Sequence, residues 1–294
     1  MEWIKAKTLL QKVSFDGQLW FGIDYVMNLY KGCNHRCIYC DSRSEKYFIE
    51  DFNRVRGKEH TAGILQYELK KNKCGVINLG AMSDAYNAEE LRNGLTRTAL
   101  QQIYEYGYGL SIETKSNQII RDIELIKKIQ ERASACIKLS ITTIDDSLAK
   151  VIEPGVCPSS KRFEAIQILS QAGIYTGVLV TPVLPFITDT PDNIRGLVRK
   201  AYESGAKFIY AQFGMTLRDR QRTYYYEKLE QSFPGLVAQY KKTYGATYGC
   251  TSPRCKELSF LFAEECEKYG LLYKMTDIVA DCPKKKEDEQ LTLF

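Results

Sequence analysis

The chain has 294 residues, which sets an expectation of one or two domains, or of a single α/β barrel. Apolar residues make up 44% and charged residues 26%, which excludes global disorder, and the net charge of +5 permits a polyanionic partner without requiring one. No apolar run approaches the roughly 18 residues of a membrane span, and Met1–Leu10 lacks the core and cleavage site of a signal peptide, so the expectation is a cytoplasmic protein without membrane contact.

Taken in chain order, apolar β-rich stretches predict strands at Gly22–Leu29, Gly75–Gly80, Gly109–Thr114, Ile137–Thr142, Ile174–Thr181 and Lys207–Phe213. Helical spacing predicts helices at Thr61–Lys71, Ala88–Tyr106, Gln118–Arg132, Ser160–Ala172 and Pro191–Ser204. Ser160 is a candidate cap for a helix ending at Gly173. Thr190-Pro191 and Gly205 bracket the last helix. Strands alternating with helices imply a parallel sheet, either doubly wound or an incomplete (β/α)6 TIM-type barrel. In both, a site is expected at the carboxyl ends of the strands. After Phe213 comes the polar, basic and aromatic Leu217–Tyr226, then helix with turns over Pro234–Leu272, then the charged Asp281–Gln290. The expected organisation is an N-terminal segment (1–21), a partial barrel (22–213), a C-terminal helical extension (214–280) and a flexible tail (281–294).

Ten cysteines without an export signal suit metal binding or catalysis better than a disulfide framework. There are only two histidines, His35 and His60, so sites built on several imidazoles are excluded. Directly after the first strand stands Cys33-Asn-His-Arg-Cys37-Ile-Tyr-Cys40. Three thiolates on one loop can ligate three irons of a [4Fe–4S] cube, leaving the fourth iron open. The competing readings are a zinc site completed from afar and plain structural thiols.

The C-x3-C-x-aromatic-C loop after the first strand of a six-fold β/α pattern resembles the radical S-adenosylmethionine (SAM) superfamily over about Gly22–Phe213. The resemblance implies that the open iron chelates SAM and that an electron from the cluster cleaves it, giving a 5′-deoxyadenosyl radical. A reduced flavodoxin- or ferredoxin-type donor is implied as the electron source. A finer resemblance is to the spore photoproduct lyase-like, DNA repair photolyase-related branch. It rests on Gly80-Ala-Met-Ser-Asp84-Ala-Tyr86, Glu113-Thr-Lys115-Ser116, Leu139-Ser140-Ile141 and Val180-Thr-Pro-Val-Leu-Pro185. It implies that Ser83 and Asp84 hold the SAM amino group and Lys115 its carboxylate. It further implies that Ser140 meets the ribose or carboxylate and that Tyr39 lies beside the adenine. Glu153 and Arg162 also fit the branch. Each residue has a plainer alternative: a helix cap for Ser83, a solvated lysine for Lys115, a core aromatic for Tyr39.

The chain departs from the lyase at two places. The cysteine that returns hydrogen to the product radical is missing from Gly80–Asp84, where Met82 offers only a thioether. Asp41 stands after the third cluster cysteine in place of a tyrosine. Tyr86 and Cys157 are the candidate replacements for the missing donor. Cys74 and Cys136 read as buried apolar thiols. Cys250, Cys255, Cys266 and Cys282 are candidate ligands of a second metal site, with core thiols as the alternative.

Arg218, Arg220 and Arg222, followed by Tyr224–Tyr226, are candidate nucleic-acid contacts or else a solvated basic helix face. The last five residues, Gln290-Leu291-Thr292-Leu293-Phe294, resemble the bacterial sliding-clamp-binding pentapeptide, in which Gln290, Leu291, Leu293 and Phe294 would be anchors. The expected function is radical SAM chemistry on a DNA lesion or nucleotide, with recruitment by the DNA sliding clamp. The rivals are a radical SAM enzyme acting on RNA or a peptide, a clamp-binding or nucleic-acid-binding adaptor with a structural cluster, and a zinc protein.

Overall fold

The computed structural model describes residues 1–13 and 20–283. The clamp-type anchors Gln290, Leu291, Leu293 and Phe294 lie outside the described residues. Six parallel strands stand side by side in sequence order: Tyr25–Met27, Val76–Leu79, Gly109–Thr114, Ala135–Ser140, Thr176–Val180 and Phe208–Ala211. A short strand, Leu10–Lys12, adds antiparallel to the first. The result is an α/β fold with a central parallel sheet, open between its two edge strands, and the described residues form no closed barrel.

Strand alternation explains the layering. One row, including Met27, Leu79, Leu110, Ile112, Ile137, Leu139, Val178 and Val180, packs on the helices in the main core. The opposite row faces inward, where Cys136, Leu179 and Phe208 meet Phe21 and Ile278. That lining also includes Ser111, Glu113, Lys115, Lys138 and Ser140 by register. Trp20, Phe21 and the helix Met275–Asp281 close the inner face at one end.

The expected helices appear with informative differences. The predicted Ala88–Tyr106 helix is split at Gly94 (φ +64°) into Glu90–Asn93 and Leu95–Glu105. The Glu90 carboxylate accepts the Thr96 and Arg97 amides at 2.8 and 3.2 Å, so a buried side chain restarts the second helix. The Gln118–Arg132 segment begins as a 3₁₀ turn, Asn117–Asp122, under a Ser116 cap. Ser160 does not cap its helix. The helix starts at Ser159, and the Ser160 hydroxyl donates instead to Asp146 at 2.6 Å. An unpredicted helix, Asp146–Ile152, is capped by the Asp145 carboxylate. Cys136 is buried as expected, but Cys74 is exposed.

Beyond the sixth strand, Gly214–Thr216 pairs antiparallel with Gly249–Thr251. Helices span Asp219–Ser232, Leu236–Tyr244 and Cys255–Tyr269. Near the other end of the chain, Glu2–Ile4, Arg56–Lys58 and Tyr30–Lys31 form a small sheet that leads into the cysteine loop. No helix among the described residues is long and apolar enough to cross a membrane.

Candidate active site

The cysteine loop starts at Gly32, whose φ of +83° and close approach to the Arg54 carbonyl leave no room for a side chain. Neighbouring segments hold the loop through its backbone. Cys33 N donates to Phe52 O at 2.7 Å, Ile38 N to Ile152 O at 3.0 Å and Gly155 N to His35 O at 2.9 Å. From the helix Asp219–Ser232, Gln221 Nε2 donates to Tyr39 O at 3.1 Å and Arg220 Nε to Arg43 O at 2.6 Å. The conformation is therefore imposed by tertiary contacts, which suits a loop that must hold three thiols toward one space.

Cys33, Cys37 and Cys40 line one cavity of about 160 Å³ at the carboxyl ends of the strands. Asp84, Lys115 and Ser140 line the same cavity, as do His35 and Glu113. Asp84 is nearly saturated as a carboxylate. Its Oδ1 accepts Thr114 Oγ1 at 2.7 Å and Tyr86 N at 2.8 Å. Its Oδ2 accepts Lys115 N at 2.8 Å and faces His35 Nδ1 at 3.4 Å. Burial opposes the His35 imidazolium, but Asp84 and Cys33 outweigh it and push its pKa up to about 9. Lys115 Nζ has no hydrogen-bond or salt-bridge partner among the described residues. Burial opposes its charge too, yet Cys37, Glu153 and Asp84 raise its pKa. The Ser140 hydroxyl likewise lines the cavity with no partner among the described residues.

Behind this layer runs a buried chain. Arg162 Nη2 meets Glu153 Oε2 at 2.6 Å, and its Nη1 donates to the Ser140 carbonyl at 2.7 Å. The Tyr39 hydroxyl donates to Glu153 Oε1. Burial would raise the Glu153 carboxyl, but Arg162 and Lys115 hold it below the usual carboxylate range. The Tyr39 ring lies 5.8 Å from Lys115 Nζ. Together they line an adjoining cavity of about 270 Å³ with Thr181, Pro182 and Gln212.

The sequence-derived site is thus brought together in part. Asp84, Lys115 and Ser140 share the cysteine cavity, and Tyr39 lines its neighbour. Ser83 lines neither, because its hydroxyl donates to the Gly32 carbonyl and braces the loop. Tyr86 is turned away from the cavity. It is fully buried, and its hydroxyl donates to Asp122 at 3.1 Å within an Arg97, Arg121 and Glu90 network. Cys157 lines neither cavity; its Sγ donates to the Lys115 carbonyl at 3.4 Å, and burial raises its pKa.

The three candidate nucleic-acid arginines are occupied internally. Arg218 makes two bonds to Asp41 at 3.1 Å. Arg220 holds the Arg43 and Ile49 carbonyls. Arg222 holds those of Leu217, Gly245, Ala246 and Thr247. The four cysteines proposed for a second metal do not converge. Cys250 packs with Tyr225 and Tyr240, Cys266 in the main core, and Cys282 beside Cys136, while Cys255 heads a helix. Among the described residues no group of three or more His, Cys, Asp or Glu side chains is placed to hold a single metal ion. Three thiols in one cavity, facing a lysine and a serine without partners, fit a cluster with a ligand-bearing open iron.

Two titratable residues of the cavity lining were missed by sequence reasoning. His35 sits inside the cysteine motif and is one of only two histidines. Glu113 is two residues before Lys115, and the two-residue period of a strand puts both on the same face.

Residues 27–223 match the Radical SAM superfamily. An uncharacterized protein of Mycobacterium tuberculosis is 29% identical over 250 residues, covering 82% of this chain and 72% of the relative. An uncharacterized protein of Methanocaldococcus jannaschii is 32% identical over 219 residues, covering 72% and 78%. Among solved structures, a spore photoproduct lyase variant with bound AdoMet and dinucleoside spore photoproduct superposes with a TM-score of 0.67. The identity is 16%, with 92% of this chain and 80% of that one covered. The radical S-adenosylmethionine methyltransferase TsrM from Kitasatospora setae gives a TM-score of 0.55 at 14% identity, covering 82% and 51%. At these identities the two structures establish a shared fold. The family match, which spans the cysteine loop and the strand ends just described, assigns the chain to the radical SAM superfamily of enzymes, whose members use a [4Fe–4S] cluster and SAM.

Proposed function

We propose that this chain is a radical SAM enzyme acting on a DNA lesion or nucleotide, and that the bacterial sliding clamp recruits it through Gln290, Leu291, Leu293 and Phe294. Cys33, Cys37 and Cys40 would hold the cluster. Bound there, cluster and SAM would supply the radical chemistry for removing hydrogen from the substrate. The protein's residues bind and orient. Lys115, without a partner and held charged, would pair with the SAM carboxylate. Asp84, fixed by four neighbours, would accept from the amino group. Ser140 would meet the ribose or carboxylate, and Tyr39 would border the adenine in the adjoining cavity. Glu153 and Arg162 hold Tyr39 and the fourth strand in place behind them.

The observation that carries the nucleotide reading is the fold shared, over 92% of this chain, with a lyase that binds a dinucleoside photoproduct. The clamp-type tail is its second support. The test uses the full chain, reconstituted anaerobically. Iron and sulfide in near-equal amounts, and 5′-deoxyadenosine formed under reductant, are expected. Ultraviolet-irradiated DNA is expected to raise that yield above unirradiated DNA. Saturable binding to a purified bacterial clamp should vanish in the Leu293→Ala/Phe294→Ala variant. Equal yields with both DNAs would remove the lesion reading, and unchanged clamp binding would remove recruitment through the tail.

A further inference from the structure

Beneath the SAM-binding layer, the inner face of the sheet carries an ion pair that the reading above leaves without a role. Glu113 and Lys138 are register partners on the third and fourth strands. Lys138 is fully buried. Its Nζ donates to Ser111 Oγ at 2.5 Å and Asn78 Oδ1 at 3.2 Å, and lies 3.4 Å from Glu113 Oε1. Its three donors are therefore matched by three acceptors. Glu113 Oε1 also accepts the Trp20 indole N–H at 3.0 Å. Its Oε2 has no partner among the described residues, and Glu113 lines the cysteine cavity. One oxygen fixes the carboxylate, and the other is left without a protein partner, among the described residues, on a side chain that lines the cavity.

Charge and shape narrow what that oxygen can take. The Lys138 ammonium already balances Glu113, so a cation would gain little net attraction. A neutral N–H donor would gain a charge-assisted bond shielded from water. The group that fixes the carboxylate is itself aromatic, Trp20, packed edge-on to Tyr210 at 5.4 Å between centroids and 89° between planes. We infer that Glu113 is a substrate-recognition residue whose free oxygen accepts the ring N–H of a nucleobase entering the cavity beneath Lys115 and Ser140. This rests on the nucleotide reading above and specifies how the substrate is read. The competing account is an ion pair that only joins the sheet to Trp20.

Trp20 supplies the probe. The chain has two tryptophans, and the other, Trp3, is 45% exposed. In a Trp3→Phe background, emission reports on the indole bonded to Glu113. The reconstituted, SAM-loaded protein would be titrated anaerobically with thymidine and with N3-methylthymidine, which lacks the ring N–H. The expected result is a saturable change with thymidine. Affinity should fall about tenfold or more with N3-methylthymidine, and similarly for thymidine in the Glu113→Gln variant. Equal affinities for the two nucleosides, or no response to thymidine, would overturn the assignment without relying on the folding of the variant. If thymidine is silent while irradiated DNA still raises 5′-deoxyadenosine, the nucleotide reading stands and the role of Glu113 falls. If both are silent, both fall.

Discussion

The strand ends of the sheet and the segment after residue 213 both concentrate cations and aromatics, yet they dispose of them differently. At the strand ends, Lys115 carries no partner among the described residues, and the Ser140 hydroxyl also faces the cysteine cavity unpaired. After residue 213, Arg218 bonds a carboxylate, and Arg220 and Arg222 bond backbone carbonyls. Tyr225 and Tyr240 bond each other, and Tyr240 donates onward to the Pro185 carbonyl. A basic aromatic stretch is therefore evidence for a ligand only when its polar groups are left over after folding. The first region passes that criterion; in the second the three arginines do not, and the one leftover polar group of the stretch is the Tyr226 hydroxyl, buried without a partner among the described residues.

The largest expected effect lies at the thiols. Cys37→Ala removes one of three ligands from the cavity, so iron and sulfide after reconstitution, and 5′-deoxyadenosine, should drop to background. Full cluster content would place the cluster elsewhere and erase the contrast between the two regions. Next comes Arg162→Met, which strands a buried carboxylate. Urea unfolding should show a loss of about 3–5 kcal/mol at pH 7. The sign of its pH dependence follows from Glu153. Arg162 holds that carboxyl below its usual range. The stabilisation is present above the unfolded carboxylate pKa and is lost as pH falls through the lower folded value. In the variant, burial without the guanidinium favours the protonated form. The stability gap should therefore narrow as pH is lowered from 7 toward 4. A gap independent of pH would show that the lost energy is packing.

Much of this was legible because it is written in local pattern. A short apolar, β-rich run placed Gly109–Thr114 at its observed limits, and Thr190-Pro191 marked a helix start that the structure repeats. The cysteine spacing pointed to one cavity because all three thiols lie on one loop. What failed depended on distant partners. The hydroxyl of Ser83 is claimed by Gly32, and that of Tyr86 by Asp122. Arg220 of the helix Asp219–Ser232 reaches back about 170 residues to hold the segment just after the cysteine loop, a role with no local signature. Glu113 was passed over because its partner Lys138 is on the next strand, and a charge inside a sheet reads as an interruption until the register is known.

Lys115→Ala tests the other side of the comparison. Lys115 makes no hydrogen bond, but its raised pKa means that its charge favours the fold beside Glu153 and Asp84, so the urea midpoint at pH 7 should fall, though less than in Arg162→Met. SAM affinity, measured by equilibrium binding to the reconstituted protein, should weaken by about 10- to 100-fold, the cost of one charge-assisted bond. A loss of stability with unchanged SAM affinity would move Lys115 into the scaffold.

The smallest effect is the most discriminating for the second region. Arg218 is 22% exposed and Asp41 31%, so their attraction is partly screened. Arg218→Ala should cost about 1 kcal/mol of stability. It should leave the affinity for undamaged duplex DNA, and the dependence of that affinity on salt, where they were. If Arg218 held a phosphate instead, removing it would lower the slope of log K against log salt by about 0.9. That slope separates the two roles even if the affinity change is small, because a scaffold arginine releases no counterion when DNA binds. A reduced slope would return the basic stretch to the nucleic-acid interface. It would also mean that the Arg218–Asp41 bonds are exchanged for phosphate on binding, with Asp41 freed at the edge of the 270 Å³ cavity it lines.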